Sequence, residues 1–419
     1  MIAASRTGLR PHAPSGWRRG WGVFPLLLVL TALFVYPVGQ ILVLSLFDPS
    51  GQPSTANYVK VATTPVYLET LGISFKIASW TTALALLAGY PVAYLLANVS
   101  VRARDTLILL VLMPFWTSFL VRTFAWMILL GRNGAVNRLL ISLGITNAPV
   151  SLIFNFTGVM IGMVHAMMPL GILAMLSVMQ RIDGNLTSAA RTLGARGGQA
   201  FWRIYFPLSL PGVTAAGLLV FITALGFFIT PALLGGRHEI MISQIIISVV
   251  QELMNWRFAG ALSVVLLAAT AVVFYLYDQV LGISTLSGGA AETGPQRRIG
   301  FLGRFASAIG TAMVAALGAL SDAFARISDF AFGARRMPRN RRRTVLWIAG
   351  LLVIAFLCLP TLFVIPVSFT AGSFIAFPPQ GFSLRWYQVY LGSPAWIDAT
   401  VRSLVVGSAT AILATAIGT

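Results

Sequence analysis

The sequence has few charged residues and almost no cysteine. Charged residues make up 10% of its 419 positions, only eleven residues are acidic, and the single cysteine is Cys358. A soluble domain of this length needs far more charge to cover its surface, so an ordinary soluble fold is excluded. One cysteine, placed in an apolar run, excludes an intrachain disulfide and a cysteine-ligated metal cluster.

Lysines and carboxylates within apolar runs are also scarce. Lys60 and Lys76 are the only lysines, and neither lies in a G-x-x-x-x-G-K-[ST] phosphate loop, so the chain does not hydrolyse ATP by that route. No carboxylate lies in the middle of an apolar run, and Asp278 lies near the end of one. Ion-coupled secondary transporters usually need intramembrane acids or interrupted helices, so this class fits less well and is kept as an alternative.

Long hydrophobic runs are what the sequence does contain. Hydrophobic residues make up 57% of the chain. Its apolar runs of about 20 residues are long enough to cross a bilayer as helices. We therefore predict an all-α, polytopic transmembrane helical bundle with about eight spans. The predicted spans are residues 22–46, 72–98, 106–131, 151–179, 207–235, 258–282, 344–370 and 399–419.

Arginine supplies nearly all of the net charge of +18. Because cytoplasmic loops are enriched in arginine, the loops predict a cytoplasmic N-terminus. This orientation places a basic N-terminal segment (1–21), the loop with Arg102 and Arg104, and a basic linker (283–343) inside the cell. Within the linker, residues 306–320 are apolar enough for an interfacial helix.

The most ordered polar stretch is residues 188–212, SAARTLGARGGQAFWRIYFPLSLPG, which we call the polar segment. Apolar and small residues recur at helical spacing on both sides of Gly197-Gly198, and Pro207 and Pro211 precede the next span. Such a pattern in an aqueous loop predicts a docking site for a soluble partner, and small residues at 189, 190 and 194 would allow close approach. The helical positions are Leu186, Ala189, Ala190 and Leu193, then Phe201, Ile204 and Tyr205.

The sequence also repeats itself at a shift of 329 residues (366 − 37). Pro37-Val38 aligns with Pro366-Val367, and Pro65 aligns with Pro394, without a gap. Generic hydrophobicity does not align prolines and glycines in one register, so we interpret this as a parallel repeat. The second copy has reached only its second span at Thr419. A longer native chain, a partner permease or an inactive fragment are the alternatives.

The polar segment resembles the coupling-loop signature of binding-protein-dependent ABC importer permeases, which have the MetI-like fold. In this sequence Ser188 stands where the signature usually has an acidic residue. The resemblance implies an ATPase-coupling loop formed by Ser188, Ala189, Ala190, Arg191, Leu193, Gly194, Ala195, Phe201, Ile204, Pro207 and Pro211, within a loop of residues 181–212.

Other motifs are similar to the spermidine/putrescine branch of these permeases. They are Gly89-Tyr90-Pro91 with Ala93-Tyr94, Pro114-Phe115-Trp116 leading to Arg122, Gly131-Arg132-Asn133-Gly134, Pro231-Ala232-Leu233-Leu234-Gly235-Gly236, and Asn255-Trp256. The likeness covers one complete six-span unit, residues 22–282, and the start of a second, residues 344–419.

The resemblance implies a transporter subunit rather than an enzyme. Its expected partners are ABC ATPase subunits that bind the ATP, an extracytoplasmic solute-binding protein, the lipid bilayer and a possible second permease, with no cofactor, metal or nucleic acid bound by this chain. It implies a multi-pass protein of the bacterial inner membrane that imports polyamines, with iron(III) or another small solute as the alternative.

Several residues inside the spans admit two interpretations. Aromatic rings can line a cation path, but they also pack helices. For Arg122 we favour a structural role, paired with backbone carbonyls or a loop, and for His165 a packed core position. The candidate pathway residues are Phe115, Trp116, Arg122, Trp126, Phe227 and Phe228.

Overall fold

The computed structural model describes residues 24–48, 50–195, 197–281, 339–372 and 381–418, with scattered positions between 312 and 323. Over these ranges the chain is helical, and extended pairing is limited to two isolated bridges, Phe47 with Pro53 and Thr370 with Phe382. The predicted all-α class is confirmed. The basic N-terminal segment, Arg196, most of the linker and Thr419 lie outside the described residues.

Seventeen α-helices are described, together with two π-helical turns, Thr31–Val35 and Phe201–Tyr205, and one 3-10 turn, Met113–Trp116. The helices are α1 (Phe24–Leu30), α2 (Tyr36–Leu44), α3 (Ala56–Thr63), α4 (Pro65–Asn98), α5 (Val101–Leu112), α6 (Phe119–Leu130), α7 (Ala135–Ser142), α8 (Phe156–Met179), α9 (Gly184–Thr192), α10 (Gly197–Ala200), α11 (Phe206–Leu225), α12 (Ile229–Leu234), α13 (Ile242–Gln251), α14 (Trp256–Leu281), α15 (Arg339–Ser368), α16 (Arg385–Leu391) and α17 (Pro394–Gly418).

Among the described residues, seven helices are long and apolar enough to cross a membrane, and an eighth crossing arises if one bent pair counts as a single span. That pair includes the span predicted at 106–131, which is broken rather than one continuous helix. The chain turns by 93° between the helical stretches Val101–Trp116 and Phe119–Ser142. Pro114 lies in the 3-10 turn, and the Ser118 hydroxyl accepts the Leu120 N–H, which starts a new helix.

The span predicted at 207–235 also differs from the structure. Helix α11 ends at Leu225, and α12 is a separate short helix. In the other direction, the π-helical turn Phe201–Tyr205 leads directly into α11, so one apolar helical stretch extends over Gly198–Leu225. The polar segment therefore does not end in an independent helix, because its second half is the first part of a span.

The core lies where α4, α8 and α11 pack together. Helix α8 is the most enclosed of these, and methionines fill much of its surface. Glycine permits the close approach of α11 and α8, because a Cβ at Gly212 would lie 2.8 Å from the Val178 Cβ. Real Cβ atoms do not come so close, so the two helices would have to separate to admit a larger residue.

Helix α15 packs on α4, α5 and α6. A Cβ at Gly350 would lie 2.6 Å from a methyl group of Leu95, and the Thr117 and Thr361 hydroxyls are 3.4 Å apart. The elements that follow α15 begin in the register of the sequence repeat. Helices α16 and α17 start 329 residues after α3 and α4, and both long helices begin at a proline (394 − 65).

Candidate coupling site and pathway residues

Helix α9, at the start of the polar segment, has defined ends. Asp183 caps its N-terminus by accepting the Asn185 N–H at 2.9 Å. At the other end, the Ala195 N–H bonds to the Ala190 carbonyl at 2.9 Å, and the Gly194 N–H bonds to the Arg191 carbonyl at 3.1 Å. These two bonds form a Schellman motif, which requires a left-handed residue after the helix.

Gly194 is that residue, with a φ of +90°. A Cβ added there would meet nothing within 4 Å, so the position is not crowded. The expectation that a small residue at 194 allows close approach of a partner is not tested by contacts within this chain, and it stays a prediction. Within the chain itself, glycine is required at this position for another reason. The requirement is conformational, because an L-residue is strained at this φ.

An apolar face of α9 is exposed. Leu193 is 89% exposed and Leu186 is 47% exposed. The two leucines are seven residues, or about two helical turns, apart, so they lie on the same face of the helix. Ala189 lies between them and is also exposed. Leu186, Ala189 and Leu193 therefore form an exposed apolar face beside Arg191.

The second half of the polar segment packs against the end of α4 through aromatic rings. Ring centroids are 4.8 Å apart for Tyr94 and Tyr205 and 5.4 Å apart for Tyr94 and Phe201. The Tyr90 hydroxyl lies 2.8 Å from the Ser209 hydroxyl on α11. Ring pairs and a hydrogen bond therefore fix the segment to two long helices at once.

The remaining predicted residues of the segment lie around this joint. Ile204 is partly buried, Pro207 lies in the first turn of α11 and Pro211 lies inside that helix. Because Pro207 has no N–H for the Arg203 carbonyl, the regular α pattern is interrupted there, and the Phe206 N–H bonds to the Phe201 carbonyl across the π turn.

At the far end of α11 from the polar segment, two of the candidate pathway residues come together. The Arg122 guanidinium carbon lies 4.2 Å from the ring centroid of Phe119, and that ring lies 5.1 Å from the ring of Phe227. Beside them the Thr123 and Thr230 hydroxyls are 3.2 Å apart, joining α6 to α12. We call Arg122, Phe119 and Phe227 the cation–aromatic stack.

The structural interpretation of Arg122 requires correction. Arg122 is only 3% exposed, yet its side chain makes no hydrogen bond or ion pair to any residue that the structure describes, and its Nε has no partner. The expected pairing with backbone carbonyls or a loop is therefore not found. Phe119 lies three residues before Arg122, and this helical spacing could have identified it had the start of α6 been recognised.

The other candidate pathway residues do not form one group. Phe115, Trp116 and Phe228 are exposed, with Trp116 at 70%. Trp126 is buried one helical turn after Arg122, and its ring centroid lies 5.2 Å from Phe356 of α15 and 5.7 Å from His165.

His165 is a packed core residue, as predicted. It is buried on α8, and its Nε2 lies 3.0 Å from the Leu357 carbonyl of α15. No pattern in the sequence indicates that this contact joins two distant parts of the chain.

Comparisons with known proteins agree with this architecture. Residues 89–334 match the family described as the binding-protein-dependent transport system inner membrane component. The spermidine/putrescine transport system permease protein PotB of Haemophilus influenzae is 35% identical over 213 residues, covering 51% of this chain and 74% of that protein. PotB of Escherichia coli K12 is 34% identical over 221 residues, covering 53% and 80%.

More distant similarities are also found. The molybdenum transport system permease protein ModB of Mycobacterium tuberculosis is 30% identical over 212 residues, covering 50% of this chain and 78% of that protein. Among solved structures, a chain of a bacterial alginate ABC transporter in complex with an alginate pentasaccharide-bound periplasmic protein superposes with a TM-score of 0.52 at 15% identity. That match covers 64% of this chain and 96% of the other, and it shows a shared fold.

The family match covers more than half of the chain and includes the polar segment, the cation–aromatic stack and the core of α8 and α11. The relatives are permease subunits rather than enzymes, and membrane-spanning helices account for most of the described chain. The chain belongs to the inner membrane components of binding-protein-dependent transport systems, and it is a multi-pass permease subunit of an ABC importer.

Proposed function

We propose that this permease imports polyamines. The observation that carries the proposal is the similarity to spermidine/putrescine permeases, which extends over about three quarters of their length. The chemistry near Arg122 is compatible with a cationic solute, because Phe119 and Phe227 offer aromatic faces that attract ammonium groups.

We further propose that the exposed face of α9 is where an ATPase subunit binds. Leu186, Ala189 and Leu193 would enter a cleft of the partner, as the exposure of Leu193 suggests. Because neither lysine of this chain lies in a phosphate loop, the energy comes from that partner. Movement of the loop would reach the membrane through the helical stretch Gly198–Leu225 and, through the Tyr94 and Tyr205 rings, through α4.

Orientation and the division into units form part of the same proposal. The distribution of arginine supports a cytoplasmic N-terminus, which places α9 inside the cell and the cation–aromatic stack toward the outer face, where a solute-binding protein delivers solute. The register of α16 and α17 supports a second permease unit that begins near residue 344.

Uptake of radiolabelled spermidine by proteoliposomes tests the solute. The full chain would be reconstituted with its ATPase and solute-binding partners, with ATP enclosed on the ATPase side. We expect uptake that needs ATP, survives a proton and sodium ionophore, and is inhibited by putrescine. Uptake abolished by the ionophores at constant ATP would identify an ion-coupled transporter instead, and absence of spermidine uptake would refute the polyamine assignment.

A second candidate solute is an oxyanion such as molybdate. The buried Arg122, which has no carboxylate partner among the described residues, favours it, and so does the similarity to a molybdenum permease. Uptake of labelled molybdate by the same proteoliposomes, with no uptake of spermidine, would establish this alternative.

A further inference from the structure

The cation–aromatic stack places a positive charge where the protein does little to stabilise it. Arg122 is almost fully buried, and its guanidinium lies on the Phe119 ring with no counter-ion among the described residues. Arg122 also lies in the first turn of α6, where the positive end of the helix dipole disfavours a cation. Burying an ion without a counter-ion costs more free energy than a desolvated cation–π contact returns.

A purely structural role does not account for this arrangement. A hydrophobic residue of similar size would fill the same space without the cost of burying a charge. Ionisable groups within membrane segments are rare, and they commonly mark substrate or ion pathways. The charge at Arg122 therefore requires a functional explanation.

The position of the stack suggests what that function is. Helix α11 has 20 residues and so spans about 30 Å, with the polar segment at one end and Phe227 just past the other. The hydroxyl pair of Thr123 and Thr230 ties α6 to α12 beside the stack, and the neighbouring Phe228 is exposed. The stack thus lies between two short helices, at the end of the bundle opposite the proposed ATPase site.

We propose that the rings of Phe119 and Phe227 form a cation-binding site on the solute pathway, and that the guanidinium of Arg122 occupies this site when no solute is present. An ammonium group of the solute displaces the guanidinium from the ring and takes over its cation–π contact. The Arg122 side chain therefore blocks this site in the absence of solute and competes with the solute for it. This inference rests on the proposed import of a polyamine.

Substitutions at the stack separate these roles, using the full chain reconstituted with its ATPase and solute-binding partners. Arg122→Gln removes the competing cation, Arg122→Lys keeps a cation, and Phe119→Leu removes the ring. Arg138→Gln is the matched charge control, because Arg138 is exposed on α7. Each variant is measured for the KM of spermidine uptake and for ATP hydrolysis without solute.

We expect Arg122→Gln to lower the KM for spermidine roughly three- to tenfold and to raise solute-independent ATP hydrolysis, because the resting closure is lost. Arg122→Lys should stay near the wild type in both measurements, and Phe119→Leu should raise the KM by a similar factor. Arg138→Gln should change neither measurement.

Two outcomes would overturn the proposal. An unchanged KM in both Arg122→Gln and Phe119→Leu, with normal protein levels, would show that the stack is not on the pathway. A raised KM in Arg122→Gln would show that Arg122 binds the solute itself. If the wild type takes up no spermidine, the polyamine assignment fails on its own. The proposal that Arg122 closes the pathway at rest is then tested by ATP hydrolysis without solute, and equal rates in Arg122→Gln and Arg122→Lys would refute it.

Discussion

Replacement of Gly194 tests how the coupling segment works. The Schellman motif at the end of α9 holds Gly194 at a φ of +90°, and a Cβ there meets nothing within 4 Å. Gly194→Ala therefore introduces no clash in this chain, but it places an L-residue in a left-handed conformation at a cost of about 1–2 kcal/mol. That cost corresponds to a roughly 5- to 30-fold shift away from the native ending of the helix.

The consequence should appear in binding of the ATPase. Only the native ending places Leu193 beside the rest of the exposed face, so the apparent affinity falls with the population of that state. We expect Gly194→Ala to weaken ATPase binding by at most about 5- to 30-fold, measured by titrating the ATPase onto the permease in nanodiscs. Gly194→Asn should recover much of the affinity, because asparagine tolerates this region of φ.

A matched control comes from the other end of the same helix. Gly184 also has open space around it, but its φ is not positive, so Gly184→Ala should leave ATPase binding unchanged or slightly improved. The competing explanation, close approach to the partner, predicts that Ala is tolerated at 194 whereas Leu is not. Wild-type affinity of Gly194→Ala, together with loss of binding in Gly194→Leu, would therefore refute the conformational argument.

Three other predictions follow from particular contacts. Leu193→Ser should leave the melting temperature in detergent unchanged, because the side chain is 89% exposed, while ATPase-driven uptake is lost; a lowered melting temperature would contradict this. Gly212→Leu should lower the melting temperature, since its Cβ would lie 2.8 Å from a side chain of α8, whereas Gly72→Leu, in open space, should not. Asp322 in the linker forms a salt bridge with Arg203. Charge reversal at either residue should slow uptake, and exchanging the two residues should restore it. Additive losses in the double variant would show that the pair is not coupled.

The fold class and most spans followed from hydropathy because the bilayer demands about 20 apolar residues per helix. The bend after α5 did not, since Pro114 and Ser118 lie in a run whose composition resembles that of a span. A hydropathy average does not register one hydroxyl that caps a helix or one missing N–H. For the same reason Phe119 was missed as the partner of Arg122.

The first half of the polar segment could be predicted from the sequence, whereas the shape of its second half depends on tertiary contacts. Helical spacing identified α9 and the exposed positions of Leu186 and Leu193. The same spacing placed a second short helix after Gly198, but that stretch is continuous with α11. The rings of Tyr94 and Tyr205 hold it there, and residues 111 positions apart in sequence give no local sign of contact.

The packing of α15 shows why the repeat predicts elements better than it predicts contacts. By register, α15 corresponds to the N-terminal helices α1 and α2, yet α2 packs on α14, where a Cβ at Gly260 would lie 2.6 Å from the Ile41 carbonyl. Helix α15 instead lies against α4, α5 and α6 and supplies the Leu357 carbonyl to His165. A buried imidazole must find a hydrogen-bond partner, and here that partner comes from the C-terminal helices. The core of residues 65–225 is thus completed by α15, and a fragment that ends at residue 282 would leave His165 without this partner.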